Sequence, residues 1–280
     1  MKTPITKIAL VIMVIISAVA CKKESTPQPT CRVTDLEIVS TPVTVNYTSE
    51  NRVSSITINA PDGSTVTHAF DYDGNLLTYN YSSRTENYSD VFTLNNDGTV
   101  KNMIDRHTVS GSPRYDVMEF AYNNNKQLKA VYHIINSSSS VQYYAKDTLI
   151  YSNGNLIKRV TYGKSTVAGS TYEPIEEINF TYGTVINQFG LYTTLSPFLA
   201  GSTYYSPYYK TINPFFTHLF GNGSTHLCTN ATVTYTSGRP SASIEFTYTN
   251  PSENVLRMVA KVTEGGSVGY AYNSFTKSCN

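Results

Sequence analysis

The chain has no tryptophan, few charges and few cysteines, and each shortage narrows what it can be. Only 15% of its 280 residues are charged, with a formal net charge of +1. No Lys/Arg-rich run occurs, so the electrostatic footprint of a nucleic-acid binder is missing and nucleic acid is excluded as a partner. The lack of tryptophan weakens any reading as a carbohydrate-stacking platform. No G-x-S-x-G elbow, H-E-x-x-H pair or Gly-rich phosphate loop is found, so no enzyme activity and no cofactor is expected. Past the N-terminal residues, no segment is apolar enough to read as a membrane-spanning helix.

What the chain has is tyrosine, 23 of them, and a phrase that keeps returning. Its clearest copy is Phe70-Asp71-Tyr72-Asp73-Gly74-Asn75-Leu76. Asp73-Gly74 predicts a two-residue type I′ turn, because both central residues of that turn need positive φ. With those two as the loop, Phe70 faces Leu77 and His68 faces Tyr79. Thr67, Ala69, Asp71, Leu76, Thr78 and Asn80 fall on the opposite, largely polar face, the alternation of a half-buried ribbon.

The phrase returns at Phe92 to Gly98, Phe120 to Asn125 and Leu149 to Leu156, with weaker copies at Val45 to Asn51, Phe180 to Gly183 and Val233 to Gly238. Taking Tyr47, Tyr72, Leu94, Tyr122, Tyr151 and Tyr182 as anchors, the spacings are 25, 22, 28, 29 and 31 residues. That period fits one hairpin per unit.

The rhythm breaks over residues 187–230, an insert holding Tyr204, Tyr205, Tyr208, Tyr209, Phe215 and Phe216. Within it, Asn213-Pro214 before Phe215 to Phe220 and Gly221 predicts one short helix, with Asn as cap, Pro at the first position and Gly at the stop. The fold expected is all-β: an antiparallel hairpin-repeat meander over residues 31–280. Lacking helices to cover its apolar face, the sheet should curl into an open barrel or fold as a sandwich, with the insert at one end.

Residues 1–20 read as a signal peptide. Lys2 and Lys7 precede the apolar run Ile8 to Ala20, which is too short to span a bilayer permanently. The run ends Ala18-Val19-Ala20-Cys21, and a cysteine directly after small residues resembles the lipobox of bacterial lipoproteins. That resemblance implies that Cys21 is acylated and becomes the new N-terminus. Ala18-x-Ala20 also satisfies ordinary signal peptidase. Residues 21–30 then carry the cysteine and a polar, proline-containing tether. With Cys21 acylated, Cys31, Cys228 and Cys279 remain in an oxidising compartment, enough for one disulfide and a leftover thiol. The spacing leaves all three pairings open.

The repeated Phe-x-Tyr-(Asp/Asn)-x-Gly-Asn-Leu phrase resembles the YD (Rhs-type) repeat. Together with Cys21-Lys22-Lys23-Glu24, Cys31-Arg32-Val33-Thr34 and Asn213-Pro214-Phe215-Phe216, it makes the chain similar to YD-repeat-like lipoproteins of the Bacteroidota cell envelope. The resemblance implies an envelope lipoprotein, with the outer membrane as its place, and no activity. Asp147-Thr148-Leu149 also resembles the O-glycosylation tripeptide of that group.

The remaining constellations favour plain roles. Asp71-Tyr72-Asp73-Gly74-Asn75 lacks the Gly placement and distal Glu of a calcium loop. His218, His226 and Cys228 make three of the four ligands a structural metal needs, so no metal is expected. Glu176 and Glu177 are neighbours on a strand and face opposite sides, which excludes them as an acid pair on one substrate. The expectation is a monomeric, lipid-anchored envelope protein with a non-enzymatic binding or scaffolding domain. Its partners are the membrane and an envelope protein, peptide or glycan. The insert tyrosines are the candidate binding surface. The alternatives are a glycan or peptide hydrolase and a small-ligand or glycan binder using the same insert.

Overall fold

A computed structural model describes residues 31–38, 41–50, 52–59, 63–82, 87–109, 112–136, 142–164, 171–188 and 217–279. Among them are sixteen strands: β1 (Cys31–Ile38), β2 (Thr41–Tyr47), β3 (Val53–Asn59), β4 (Thr65–Asp73), β5 (Leu76–Ser82), β6 (Asn87–Leu94), β7 (Val100–Val109) and β8 (Ser112–Tyr122). There follow β9 (Leu128–Asn136), β10 (Gln142–Ser152), β11 (Asn155–Lys164), β12 (Glu173–Ile186), β13 (His226–Tyr235), β14 (Ala242–Ser252), β15 (Val255–Glu264) and β16 (Ser267–Cys279). Each strand pairs with its chain neighbours, and β16 stands beside β1, so the strand order returns on itself and the sheet curls into a barrel.

The two ends of the barrel differ. Turns from even to odd strands lie at one end, here called the repeat end because the recurring phrase closes there; the others lie at the far end. The strands form as the alternation demands. In β4, Val66, His68, Phe70 and Tyr72 turn inward while Thr65, Thr67, Asp71 and Asp73 are exposed. In β14, Ala242, Ile244 and Phe246 are buried between exposed Ser243, Glu245 and Thr247. The inward residues of β2 to β16 join in one apolar core that includes Ile56, Leu77, Met103, Met118, Leu128 and Leu256. The barrel is apolar inside and polar outside.

The turn chemistry corrects the first hairpin by one pair. Asp73 pairs with Leu76, so the loop is Gly74-Asn75, and Phe70 faces Tyr79 while His68 faces Tyr81. The cause is that only Gly74 has positive φ, +57°, the φ pattern of a type II′ turn with glycine first. The faces assigned from sequence are unchanged. At β10–β11 the expected type does occur: Asn153 (φ 49°) and Gly154 (φ 79°) form the loop between Ser152 and Asn155.

The repeat acquires a physical meaning here. Phe-x-Tyr places both rings inward on an even strand, and in three copies the tyrosine hydroxyl caps a carbonyl near the start of a neighbouring strand, whereas the Tyr72 and Tyr151 hydroxyls are buried without a hydrogen-bond partner. Tyr122 donates to the Val100 carbonyl at 2.8 Å, Tyr182 to Leu156 at 2.7 Å and Tyr248 to Cys228 at 2.7 Å. Phe246-Thr247-Tyr248 is therefore a true copy that the sequence reading missed. Val233-Thr234-Tyr235, read as a copy, lies on an odd strand and reaches the far end, where Arg239 sits 4.6 Å over the Tyr235 ring.

The expected helix is only a single 3-10 turn among the described residues, Thr217–Phe220. Asn213 to Phe216 lie outside them. The turn plugs the repeat end: Leu219 and Phe220 are buried, with the Phe220 ring 5.3 Å from that of Phe120. Gly221 bridges Gln127, and Asn222 donates to the carbonyls of Lys126 and Asn125.

A buried histidine gives the barrel a pH signature. His68 is fully enclosed, with Nδ1 2.7 Å from the Tyr79 hydroxyl and no hydrogen-bond partner at Nε2. Burial lowers its pKa from 6.5 to about 4. Folding thus opposes its protonation. The stability it contributes is complete above the unfolded pKa and is lost as pH falls from 6.5 towards 4. Linkage gives a loss of about 2 kcal/mol between pH 7 and pH 5. Urea denaturation at the two pH values should show this loss, and His68→Phe should reduce it.

Candidate functional site inside the barrel

The four-strand wall β9 to β12 gathers buried charge inside the barrel, while Asp90 on β6 and Lys277 on β16 are buried apart from it. Register puts it there. The Asn153-Gly154 turn and the register shift at Ile150/Tyr151 together set Thr161 opposite Asp147, and β12 then sets Glu176 opposite Thr161. On the other flank Asp147 faces Val131, which brings His133, two residues on, diagonally alongside.

Asp147 is the hub, and it is 0% exposed. His133 Nε2 lies 3.1 Å from its Oδ2, Arg159 donates to the same oxygen at 3.3 Å, and the Thr161 hydroxyl donates to Oδ1 at 2.6 Å. Burial alone would push the Asp147 carboxyl up. Arg159, His133 and Thr161 outweigh it and hold the group below the ordinary aspartate value. Glu176 answers in the opposite sense: burial raises its pKa, opposed by Arg159 and reinforced by Asp147. The cluster therefore contains one firmly ionised carboxylate, neutralised by donors, beside a second that resists ionisation.

Chemically this is a network closed around Asp147, with the Arg159 Nε left buried and without a hydrogen bond. Both Asp147 oxygens are spent on donors from neighbouring strands, and Thr161, the nearest hydroxyl, donates to the carboxylate and not to an imidazole. Such a network pins register, since a shift of one residue would turn every member outward.

Glu176 and Glu177 divide as the strand alternation requires: Glu176 joins the interior, and Glu177 lies outside at 2.7 Å from Lys158. Of the distant acids that might have joined Glu176, Glu119 is exposed and Glu245 bonds Lys261 on the outer wall. His226 pairs with Asn155, and Cys228 donates to the Asn230 carbonyl at 3.2 Å. No group of three or more metal-ligating side chains occurs among the described residues.

Cys228 is free and buried, its thiol pushed up to about 12 by burial. Cys31 opens β1 and Cys279 closes β16, at the repeat end of strands that are neighbours in the order. Cys21, Tyr204, Tyr205, Tyr208, Tyr209, Phe215 and Phe216 lie outside the described residues. Of the glycosylation-like tripeptide, Asp147 is buried within the ion cluster, while Thr148, which carries the hydroxyl, lies on the opposite face and is half-buried.

Fold and interior together define a class: a sixteen-strand antiparallel meander curled into a barrel with a packed core. Solved structures share this architecture. A porin-like protein from Bacteroides uniformis aligns with a TM-score of 0.57 at 14% identity, over 89% of this chain and 96% of that one. A porin-like protein from Bacteroides vulgatus aligns with a TM-score of 0.57 at 11% identity, over 88% of this chain and 98% of that one. Identities this low show a common fold. No protein-family model matches the chain, and no curated protein is significantly similar to it.

Proposed function

We propose that this is a lipid-anchored cell-envelope protein whose barrel stands in water as a non-enzymatic binding or scaffolding domain. The observation that carries the reading is the polarity of the wall. A barrel that crosses a bilayer presents apolar side chains to lipid and polar ones to its lumen. Here the outer faces of β13 to β15 carry Asn230, Thr232, Thr234, Ser243, Glu245, Thr247, Arg257 and Lys261, and the apolar set points inward. A charged Arg or Lys on a lipid-facing strand costs about 2–4 kcal/mol at the bilayer midplane. Attachment to a membrane then has to come from elsewhere, and Cys21 with its tether supplies it.

The term porin-like describes the two Bacteroides proteins; the filled interior and polar wall of this chain support no channel. An ion cluster in which both Asp147 oxygens are taken by donors on neighbouring strands supports a scaffold over an enzyme. The insert, with Tyr204, Tyr205, Tyr208 and Tyr209, is the surface offered to a protein, peptide or glycan partner. With the Cys228 thiol on the Asn230 carbonyl, the disulfide falls to Cys31 and Cys279, across the seam of β1 and β16.

The test is the non-reduced intact mass of the mature protein taken from its native envelope. Acylated Cys21 and two hydrogens lost to one disulfide are expected, and Cys21→Ser should release a folded barrel into the soluble fraction. A lipid-free mature chain, or a Cys21→Ser protein that still needs detergent for extraction, would sink the anchored reading.

A further inference from the structure

We infer that the repeat end of the barrel is a membrane-seating face, its exposed aliphatic side chains resting on the lipid surface to which Cys21 is tethered. The inference rests on the anchored reading above and adds an orientation to it. Two independent features of the structure meet at one end.

The first is where the chain outside the barrel joins it. β1 starts at the repeat end with Cys31, because β2 runs back to that end and turns there into β3. Residues 22–30 separate it from Cys21. Nine residues at about 3.5 Å each reach at most roughly 30 Å. A barrel held on so short a leash presents the end it hangs from to the bilayer.

The second is how exposed apolar side chains are distributed. The outer wall is polar, yet Leu76, Ile150, Ile157, Val185 and Ile186 are between 39 and 59% exposed. All five lie at the repeat end. Leu76 is the first residue of β5, and Val185 and Ile186 are the last two of β12. Ile150 and Ile157 flank the β10–β11 turn; the register irregularity there leaves Ile157 outside the pairing of Lys158 with Ile150 and Leu156 with Tyr151. The far end has a different character: Tyr172, Tyr270 and Tyr272, with Val268, and the Tyr270 and Tyr272 rings stacked at 6.4 Å.

Near the repeat end Arg52 pairs with Glu50 and Lys126 with Asp97, and the exposed Lys101, Lys129 and Arg257 are matched in number by Asp71, Asp73 and Glu253, so the end carries both signs and no basic patch steers it to anionic lipid. Seating is therefore apolar and insensitive to salt. Contacts too weak to hold a free protein suffice, because the anchor makes the encounter intramolecular.

The chain's lack of tryptophan makes the test clean. Full-length mature protein, acylated at Cys21, is prepared as three single-tryptophan variants, Ile157→Trp, Ile186→Trp and Tyr272→Trp, all at exposed sites, with circular dichroism confirming the fold. Each is reconstituted on phosphatidylethanolamine/phosphatidylglycerol vesicles with and without brominated acyl chains. At Ile157 and Ile186 the emission should shift to the blue and be mostly quenched, unchanged by 0.5 M salt. At Tyr272 it should be indifferent to bromine. Vesicle-bound protein with no quenching at either repeat-end site would overturn the seating face and leave the anchor standing. Equal quenching at all three would overturn the orientation. Protein that fails to sediment with vesicles despite acylation would remove the anchored reading and this inference with it.

Discussion

Asp147→Ala is expected to destabilise the barrel by about 3–5 kcal/mol, because it removes the shared acceptor of a buried cluster and strands the Arg159 guanidinium without its carboxylate. Arg159 is 1% exposed and cannot swing to water to recover the loss. Denaturant titration measures the effect. Asp147→Asn keeps an acceptor and should cost less. Pairing Asp147→Ala with Arg159→Met should restore much of the stability, since it removes the abandoned charge as well. A double variant as unstable as the sum of the singles would show that the two side chains act separately.

The same pair predicts a pH window. The folded-state pKa of Asp147 lies below its ordinary 3.8. Its contribution is therefore present above that ordinary value and lost as pH falls through the lowered one. The wild-type advantage over Asp147→Asn should shrink only in strong acid, well below the window in which His68 acts.

Gly221→Ala is the second large effect, expected at about 3 kcal/mol from a left-handed backbone and a broken contact together. Gly221 has φ +82°, and a Cβ there would lie 2.0 Å from the Lys126 carbonyl oxygen, backbone that cannot step aside. The same carbonyl accepts from the Asn222 amide at 2.8 Å. The substitution pushes the plug off the β8–β9 hairpin. For a barrel of this size the melting temperature should fall by roughly 6–12 °C. Gly238→Ala is the control, with φ +77° and nothing within 4 Å of the new atom. It should show the backbone strain alone. Equal losses at both positions would mean that the plug contact contributes nothing.

Much of this architecture was legible in the sequence because its signals are local. The alternation in Val66 to Tyr72, the Asn153-Gly154 turn and the spacing of the Phe-x-Tyr phrases specify strands, faces and one hairpin per unit without knowledge of the whole. Register was the weak link at Gly74, where Asp-Gly and Gly-Asn are both acceptable turns and choosing wrongly moves every pair by one step. Of the short helix, only the last part falls among the described residues, where Thr217–Phe220 form one 3-10 turn with Leu219 and Phe220 packed inward.

The ion cluster was the part not read. His133, Asp147, Arg159 and Glu176 are far apart in the chain, and nothing in any one of them announces the others. A signal was available all the same. Once the β10–β11 turn is fixed, counting back puts Asp147 on the inward face with Tyr151 and Leu149, and a charge there needs a partner; the bulge that brings Thr161 opposite it could not be counted.

Pairing every strand with its neighbours in the chain leaves one exception, the seam where β16 meets β1. Every hairpin but β12–β13, whose connection runs over residues 187–225, closes a short loop, so assembly can begin at any of those turns and spread along the meander at little entropic cost. The seam alone waits for the whole chain. Its two strands start and finish at the same end, so residues 31 and 279 could be spliced and the chain reopened at a polar hairpin such as Thr236 to Ser241 with the order of strands intact. To the barrel, the place where the polypeptide begins is a matter of timing and of where it is moored.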